Sequence, residues 1–297
     1  NPGSDAHRRT KTDRNTHVWG RCMGRVMNTM PPPGVRAHIH PALFPYGNIE
    51  DGSIEEVIQA ENWLRSQGCT HARGPLGPTT WHSYRAVIES DDRPSFLGET
   101  TFSPVVWEAR GYTICAEYAS ALAPNKTQGS SAQEHAEKLQ SDGWRIQTIE
   151  ETGGFEPALH RFHQISTAAF AQAFAYTPLS LQGFHDMYAP MERLIDPRMV
   201  LIAMSPDNEP AGFCFSIPDR LNPNLKQFII KTLAVTPPYR QAGIGSWLTA
   251  TAHHKAQTLG WTEGGIHALM WTGSHSRQIS QHAGEVFRRY ALYEKKL

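Results

Sequence analysis

The chain has 297 residues, 39% hydrophobic and 19% charged, the make-up of a globular protein with room for two domains of about 150 residues. Its 28 Lys and Arg balance 28 Asp and Glu, so it lacks the basic excess that marks nucleic-acid binding. No apolar run approaches the roughly 18 residues that span a bilayer, and a cytoplasmic protein without membrane or nucleic-acid partners is the expectation.

The first residues, Asn1–Thr16, are polar and lack the apolar stretch of a signal peptide; 1–16 is read as a disordered segment or tag remnant. Between Ala42–Tyr46 and the first helix lies Gly47–Ser53, which carries two carboxylates, Glu50 and Asp51. A helix is predicted over Glu55–Gln67, with Val57, Ala60 and Leu64 in one stripe and Gly68 as its stop. Thr70–Leu76 has strand character, Trp81–Arg85 reads as a helical patch, and Thr113–Ala119 as a strand. Residues 124–142 are polar and rich in turn formers, the composition of an exposed connector, part of it a short surface helix.

After this linker, Trp144–Ile149 alternates as a strand. Ala158–Phe174 and Ser180–Leu194 read as helices, with Ser180 as a cap. Met199–Met204 and Ala211–Ile217 form a predicted hairpin around the turn Ser205–Asn208. Phe228–Val235 is an apolar strand. A helix over Gly243–Leu259 carries Ile244, Leu248, Ala252 and Ala256 on one stripe, and Gly265–Met270 is the next strand. A final helix and strand close the chain. The order argues for a three-layer α/β domain with a largely antiparallel sheet.

The chemistry is concentrated where Ile230–Val235 runs through Thr236-Pro-Pro-Tyr239 into Arg240-Gln-Ala-Gly243-Ile-Gly245-Ser246. First-turn amides of a helix lack internal partners and the dipole there is positive, so an anion can be held. Gly243 and Gly245 keep side chains out of its way, and Arg240 adds a permanent cation. There is no P-loop Lys-Ser/Thr and no complete GxGxxG. On these grounds alone, any phosphate-binding turn fits, as does a strand-to-helix turn that merely needs glycine.

Arg240-x-x-Gly243-x-Gly245 after an apolar strand resembles the acetyl-CoA signature Arg/Gln-x-x-Gly-x-Gly/Ala of the GNAT N-acetyltransferases, and the order of elements from Trp144 onward is similar to theirs. The resemblance implies a GNAT fold over 143–297, a mixed, largely antiparallel sheet flanked by helices. It implies acetyl-CoA as cosubstrate, its pyrophosphate on the amides of Gln241, Ala242, Gly243, Ile244, Gly245 and Ser246, with Arg240 as the cation at the rim of the cofactor site. The pantetheine arm would enter between two splayed strands and pair with Leu233, Ala234 and Val235. It further implies direct attack by an amine in a ternary complex, with a small-molecule amine as acceptor partner. The alternatives are a non-catalytic acyl-CoA-binding protein and a protein or peptide N-acetyltransferase.

Many family members carry an Asn after the fifth strand and a Tyr acid in the next helix. Here those positions fall at Ser274 and at Gln281 or His282. His282 and Tyr290 are the candidate acids, since imidazole and phenol can both hand a proton to a thiolate. His267 and Lys231 are candidates for the base, and water acting on an amine of lowered pKa is another. The first half echoes the same order, and Pro104–Tyr112 is similar to the family's closing Tyr-x-x-x-Gly-Phe element, but it lacks the glycine signature. Residues 17–123 are therefore read as a degenerate, incomplete GNAT-like domain in tandem with the active one, joined by the linker 124–142. The four cysteines form no CxxC pair, and no metal is expected from the 15 histidines: His253 and His254 are adjacent and make poor joint ligands, whereas His38 and His40 share a face of any strand there.

Overall fold

In a computed structural model, residues 30–82, 84–98, 102–125, 130–271 and 284–297 are described. The first half opens with β1 (Ala37–His38) and β2 (Tyr46–Ile49). Helix α1 (Ile54–Ser66) is started by a capping box in which Ser53 and Glu56 satisfy each other's backbone N–H. β3 (His71–Gly74) and β4 (Ala86–Ser90) follow, then the short α2 (Val105–Ala109) and the long β5 (Thr113–Ala123). α3 (Ser130–Ser141) occupies most of the linker.

The second half runs β6 (Arg145–Thr148), α4 (Phe155–Phe170), α5 (Leu181–Tyr188), β7 (Val200–Met204), β8 (Pro210–Pro218), β9 (Gln227–Val235), α6 (Ile244–Thr258), β10 (Gly264–Trp271) and β11 (Glu285–Lys296). Ser180 caps α5 as expected, its hydroxyl accepting from Gly183 N–H at 3.1 Å. That helix stops at Tyr188 and continues as a 3-10 segment over Ala189–Leu194, because Pro190 cannot donate to an α-helical ladder.

One reading of the first half is corrected. In place of a helical patch from Trp81, Trp81 and His82 lie in a turn and a bend, Tyr84 bridges Leu76, and Arg85 has φ 75 just before β4. In β2, Asn48 anchors the strand by donating to the Gly77 and Pro78 carbonyls, 3.2 Å each.

All eleven strands belong to one sheet in the order β1-β2-β3-β11-β5-β10-β9-β8-β7-β6, with β4 also on β11. Only β2/β3 and β9/β10 are parallel. Each of these pairs is bridged by a helix, α1 and α6 respectively. The halves trade their last strands: β5 of the first half pairs with β10, and β11 of the second half pairs with β3. The two traded strands then pair with each other, Glu285–Glu294 against Thr113–Leu122. The linker thus divides the chain but not the sheet.

α4 and α5 cover one face of the second half, over a core containing Phe162, Ile202, Phe213, Phe215, Ile229 and Ile266. α6 covers the other, over Leu201, Cys214, Phe228, Ile230 and Leu248. The alternation along β7–β10 sends successive residues to these two cores. Cys69, Cys115 and Cys214 are free thiols, each pushed up in pKa by burial; Cys22 lies outside the described residues. No helix among the described residues is long and apolar enough to cross a membrane.

Candidate functional site

β9 and β10 run side by side only from Gln227/Gly264 to Ile230/His267. Beyond that point β10 stays with β5, where Met270 and Trp271 face Ala119 and Tyr118, while β9 stays with β8 up to Val235. The two strands therefore diverge. A β-bulge marks the fork. Thr232 faces Phe215 and Ile230 faces Ser216, leaving Lys231 as the extra residue. Leu233, Ala234 and Val235 have β8 on one side and no strand on the other among the described residues, which is the open edge that an extended ligand can pair with.

β9 then leads through a 3-10 turn, Pro237–Ala242, to Gly243, which caps α6 at φ 74. Only glycine adopts that conformation without strain, and the His135 ring from α3 packs where a Cβ would sit. His135 Nε2 lies 3.2 Å from the Ala242 carbonyl. The first ladder bond of α6 runs from Trp247 N–H to Gly243 O at 3.1 Å, so the N–H groups of Ile244, Gly245 and Ser246 have no carbonyl within the helix. Gln241 and Ser246 are exposed, and Ile244 and Gly245 are buried. Arg240 is exposed at this turn but is also braced, its Nη2 donating to Ala169 O at 2.6 Å.

His267 lies at the fork, on the α6 side, and is 5% exposed. Its Nε2 is 3.0 Å from His253 Nε2, and His253 Nδ1 is 2.7 Å from Asn125 Oδ1. Asn125 donates its amide to Trp261 O at 2.6 Å. That bond orients the amide and assigns the protons in sequence: His253 carries Nδ1–H, and His267 donates Nε2–H to His253. Burial pushes His253 down to about 4. Burial, with the neighbouring His253 charge, pushes His267 down to about 3. Both rings are therefore neutral at pH 7, and His267 is a weak proton acceptor.

Tyr290 is 2% exposed, with its hydroxyl 3.1 Å from Ser120 Oγ. It belongs to β11, which β5 separates from β10, about 10 Å away at ordinary strand spacing. A role as acid would require that hydroxyl to reach past β5. His282, Gln281 and Ser274 lie outside the described residues. The structure thus brings Leu233–Val235, the Arg240–Ser246 turn and His267 to one fork and leaves Tyr290 two strands away. His253, Asn125 and His135 join the site without having been singled out as site residues in the sequence. Among the described residues, no group of three His, Cys, Asp or Glu could hold a metal.

No protein-family model and no curated protein sequence matches the chain. Among solved structures it is similar to a GCN5-related N-acetyltransferase from Sphaerobacter thermophilus, with 15% identity and a TM-score of 0.50, over 82% of this chain and 67% of that one. It is also similar to the GCN5-related glucosamine N-acetyltransferase region of a fungal multi-domain GH3 β-N-acetylglucosaminidase, with 11% identity and a TM-score of 0.53, over 84% of this chain and 30% of that one. At such identities the likeness is one of fold. The chain has the fold of the GNAT acetyltransferases.

Proposed function

We propose that the protein is an acetyl-CoA-dependent N-acyltransferase acting on a primary amine, with its active site in the second half. The observation that carries this is the fork between β9 and β10, opening directly onto the Gly243-capped N-terminus of α6. The residues fit acetyl-CoA. The amides of Ile244, Gly245 and Ser246 suit a pyrophosphate, and Leu233–Val235 offers backbone to an arm running back toward the fork. Acetyl-CoA would supply the activated acetyl group there.

The protein's own contribution is positioning. The open edge of β9 orients the arm, and α4, α5 and β8 exclude water from one side of it. His267 holds its proton toward His253 and is too weakly basic to accept the amine's proton, so we assign that step to solvent acting on an amine that enters neutral. The first half supports the acceptor side: Trp81 Nε1 donates to Thr177 O at 2.8 Å, and its ring meets Phe184 of α5 at 5.9 Å.

The test is thermal unfolding with and without acetyl-CoA, followed by thiol release with an amine panel. Acetyl-CoA at about a hundred times its dissociation constant adds roughly 2.7 kcal/mol, a shift of several degrees. No shift removes the reading. A shift without turnover of any amine or peptide N-terminus turns it to a non-catalytic acyl-CoA-binding protein.

A further inference from the structure

The cations of this protein that are half-buried or deeper have carboxylate partners at most sites where partners are seen. Arg110 and Lys295 share Glu61 at 2.8 and 3.1 Å, and Arg73 meets Glu294 at 2.8 Å. Lys231 differs. It is half-buried, and among the described residues it has no ion pair and no hydrogen bond. Its one described polar contact is with a ring, Nζ lying 5.1 Å from the centroid of Tyr188. Tyr188 in turn stacks on Phe184 at 4.5 Å and 24°.

What sets Lys231 apart is its position. It is the first residue of β9 after the pairing with β10 ends, and it is the extra residue of the bulge. In a regular strand, side chains alternate strictly between faces. Here Ile229 packs into the core under α4, Ile230 and Leu233 face α6, and Ala234 packs under α4 again. Alternation from Ile229 and Ile230 puts Lys231 on the α4–α5 face at the mouth of the fork, where Nζ reaches Tyr188, and the bulge absorbs the change of parity before Leu233. An ammonium group there disfavours a second cation and suits an anion, and it lacks one in the protein itself.

We propose that Lys231 is a specificity-determining residue that binds a carboxylate of the acceptor, so that the substrate class is an amine that also carries a carboxylate, with its apolar part against Tyr188. This rests on the reading of the fork as the site of acetyl transfer. The carboxylate replaces the missing partner of Lys231, and the neutral amino group faces the arm. Polycationic amines are excluded by the same charge.

The experiment uses the full chain, acetyl-CoA, and matched acceptor pairs: each common amino acid beside the amine left by removing its carboxylate, such as phenylalanine beside phenethylamine. The variant is Lys231→Met, which keeps the aliphatic stem and removes the charge. The wild type is expected to favour the acid of the best pair by about ten- to a hundredfold in kcat/KM, the range of a charge-assisted contact. Lys231→Met is expected to lose that preference, through a raised KM for the acid, and to keep the acetyl-CoA-induced thermal shift. Turnover of amines without preference for the acid overturns the proposal while leaving the acyltransfer reading intact. An equal loss of kcat for both members of a pair also overturns it, since that marks Lys231 as part of the chemistry. Absence of both the thermal shift and thiol release in the wild type removes the acyltransfer reading, and this proposal with it.

Discussion

Between pH 7 and pH 5 the fold is expected to lose stability through two histidines that cannot be charged where they stand. His253 and His267 are held at about 4 and about 3, below the roughly 6.5 of an unfolded histidine. Between those values the unfolded chain binds protons that the native state does not. Their contribution is therefore complete above about pH 7 and falls as pH drops through 6.5. The slope is about 1.4 kcal/mol per pH unit for each ring, levelling off near pH 4 for His253 and near pH 3 for His267. From pH 7 to 5 that amounts to about 2 kcal/mol per histidine. The share of His253 is smaller, because it is only partly buried. The assay is urea or thermal unfolding at both pH values, on the wild type and on His253→Gln/His267→Gln. The wild type should lose about 2–4 kcal/mol more than the variant, or roughly 4–8 °C in melting temperature at about 2 °C per kcal/mol. Equal losses in both proteins, or native imidazole NMR signals titrating near 6.5, would refute the reasoning.

Three further outcomes are expected. Gly243→Ala should cost about 1–2 kcal/mol from its φ of 74, and more because the His135 ring must move out of the way of the new Cβ, and should abolish the acetyl-CoA-induced shift. Gly260→Ala, with φ 95 and nothing within 4 Å of its added Cβ, should carry the φ cost alone and keep the shift; an unchanged shift in Gly243→Ala would count against the turn as the pyrophosphate cradle. Residues 143–297 expressed alone lack β5, so β10 and β11 lose a shared neighbour; cooperative unfolding should be absent by calorimetry and return on co-expression with 30–123, and a stable monomer of the fragment would sink the idea. Glu61→Ala should destabilise by about 3–5 kcal/mol in urea, because it strands Arg110 and Lys295 without their buried carboxylate. Burial works to raise the pKa of Glu61, but the hydrogen bonds from Arg110 and Lys295 outweigh it and the net shift is downward; a loss under about 1 kcal/mol would show that the cluster contributes little.

The local structure of the second half was legible in the sequence because its signals are local. Ser180 caps where a serine precedes an apolar helix, and the stripe Ile244, Leu248, Ala252, Ala256 is buried as its spacing predicts. The strand leading into Arg240-x-x-Gly243-x-Gly245 likewise announces its turn through glycine's backbone freedom. Short aromatic-rich stretches were less readable. Trp81–Arg85 has helical spacing over too few residues to nucleate a helix, and docking of Trp81 on Thr177 decides its shape. His38 and His40 do not share a strand: His38 bonds Glu50, and His40 accepts from Ala42 N–H at the start of a 3-10 turn.

What the sequence by itself determined is most elements of the second half and the glycine turn that opens α6, since capping, periodicity and glycine φ act within a few residues. Tertiary structure alone decided the rest. The trade of β5 and β11 depends on which edges are left open after each half has formed its parallel pair. The bulge at Lys231 depends on the register of β9 against β8. The neutral pair His253–His267 depends on a helix and a strand meeting 14 residues apart in sequence, in a place where burial disfavours a charge.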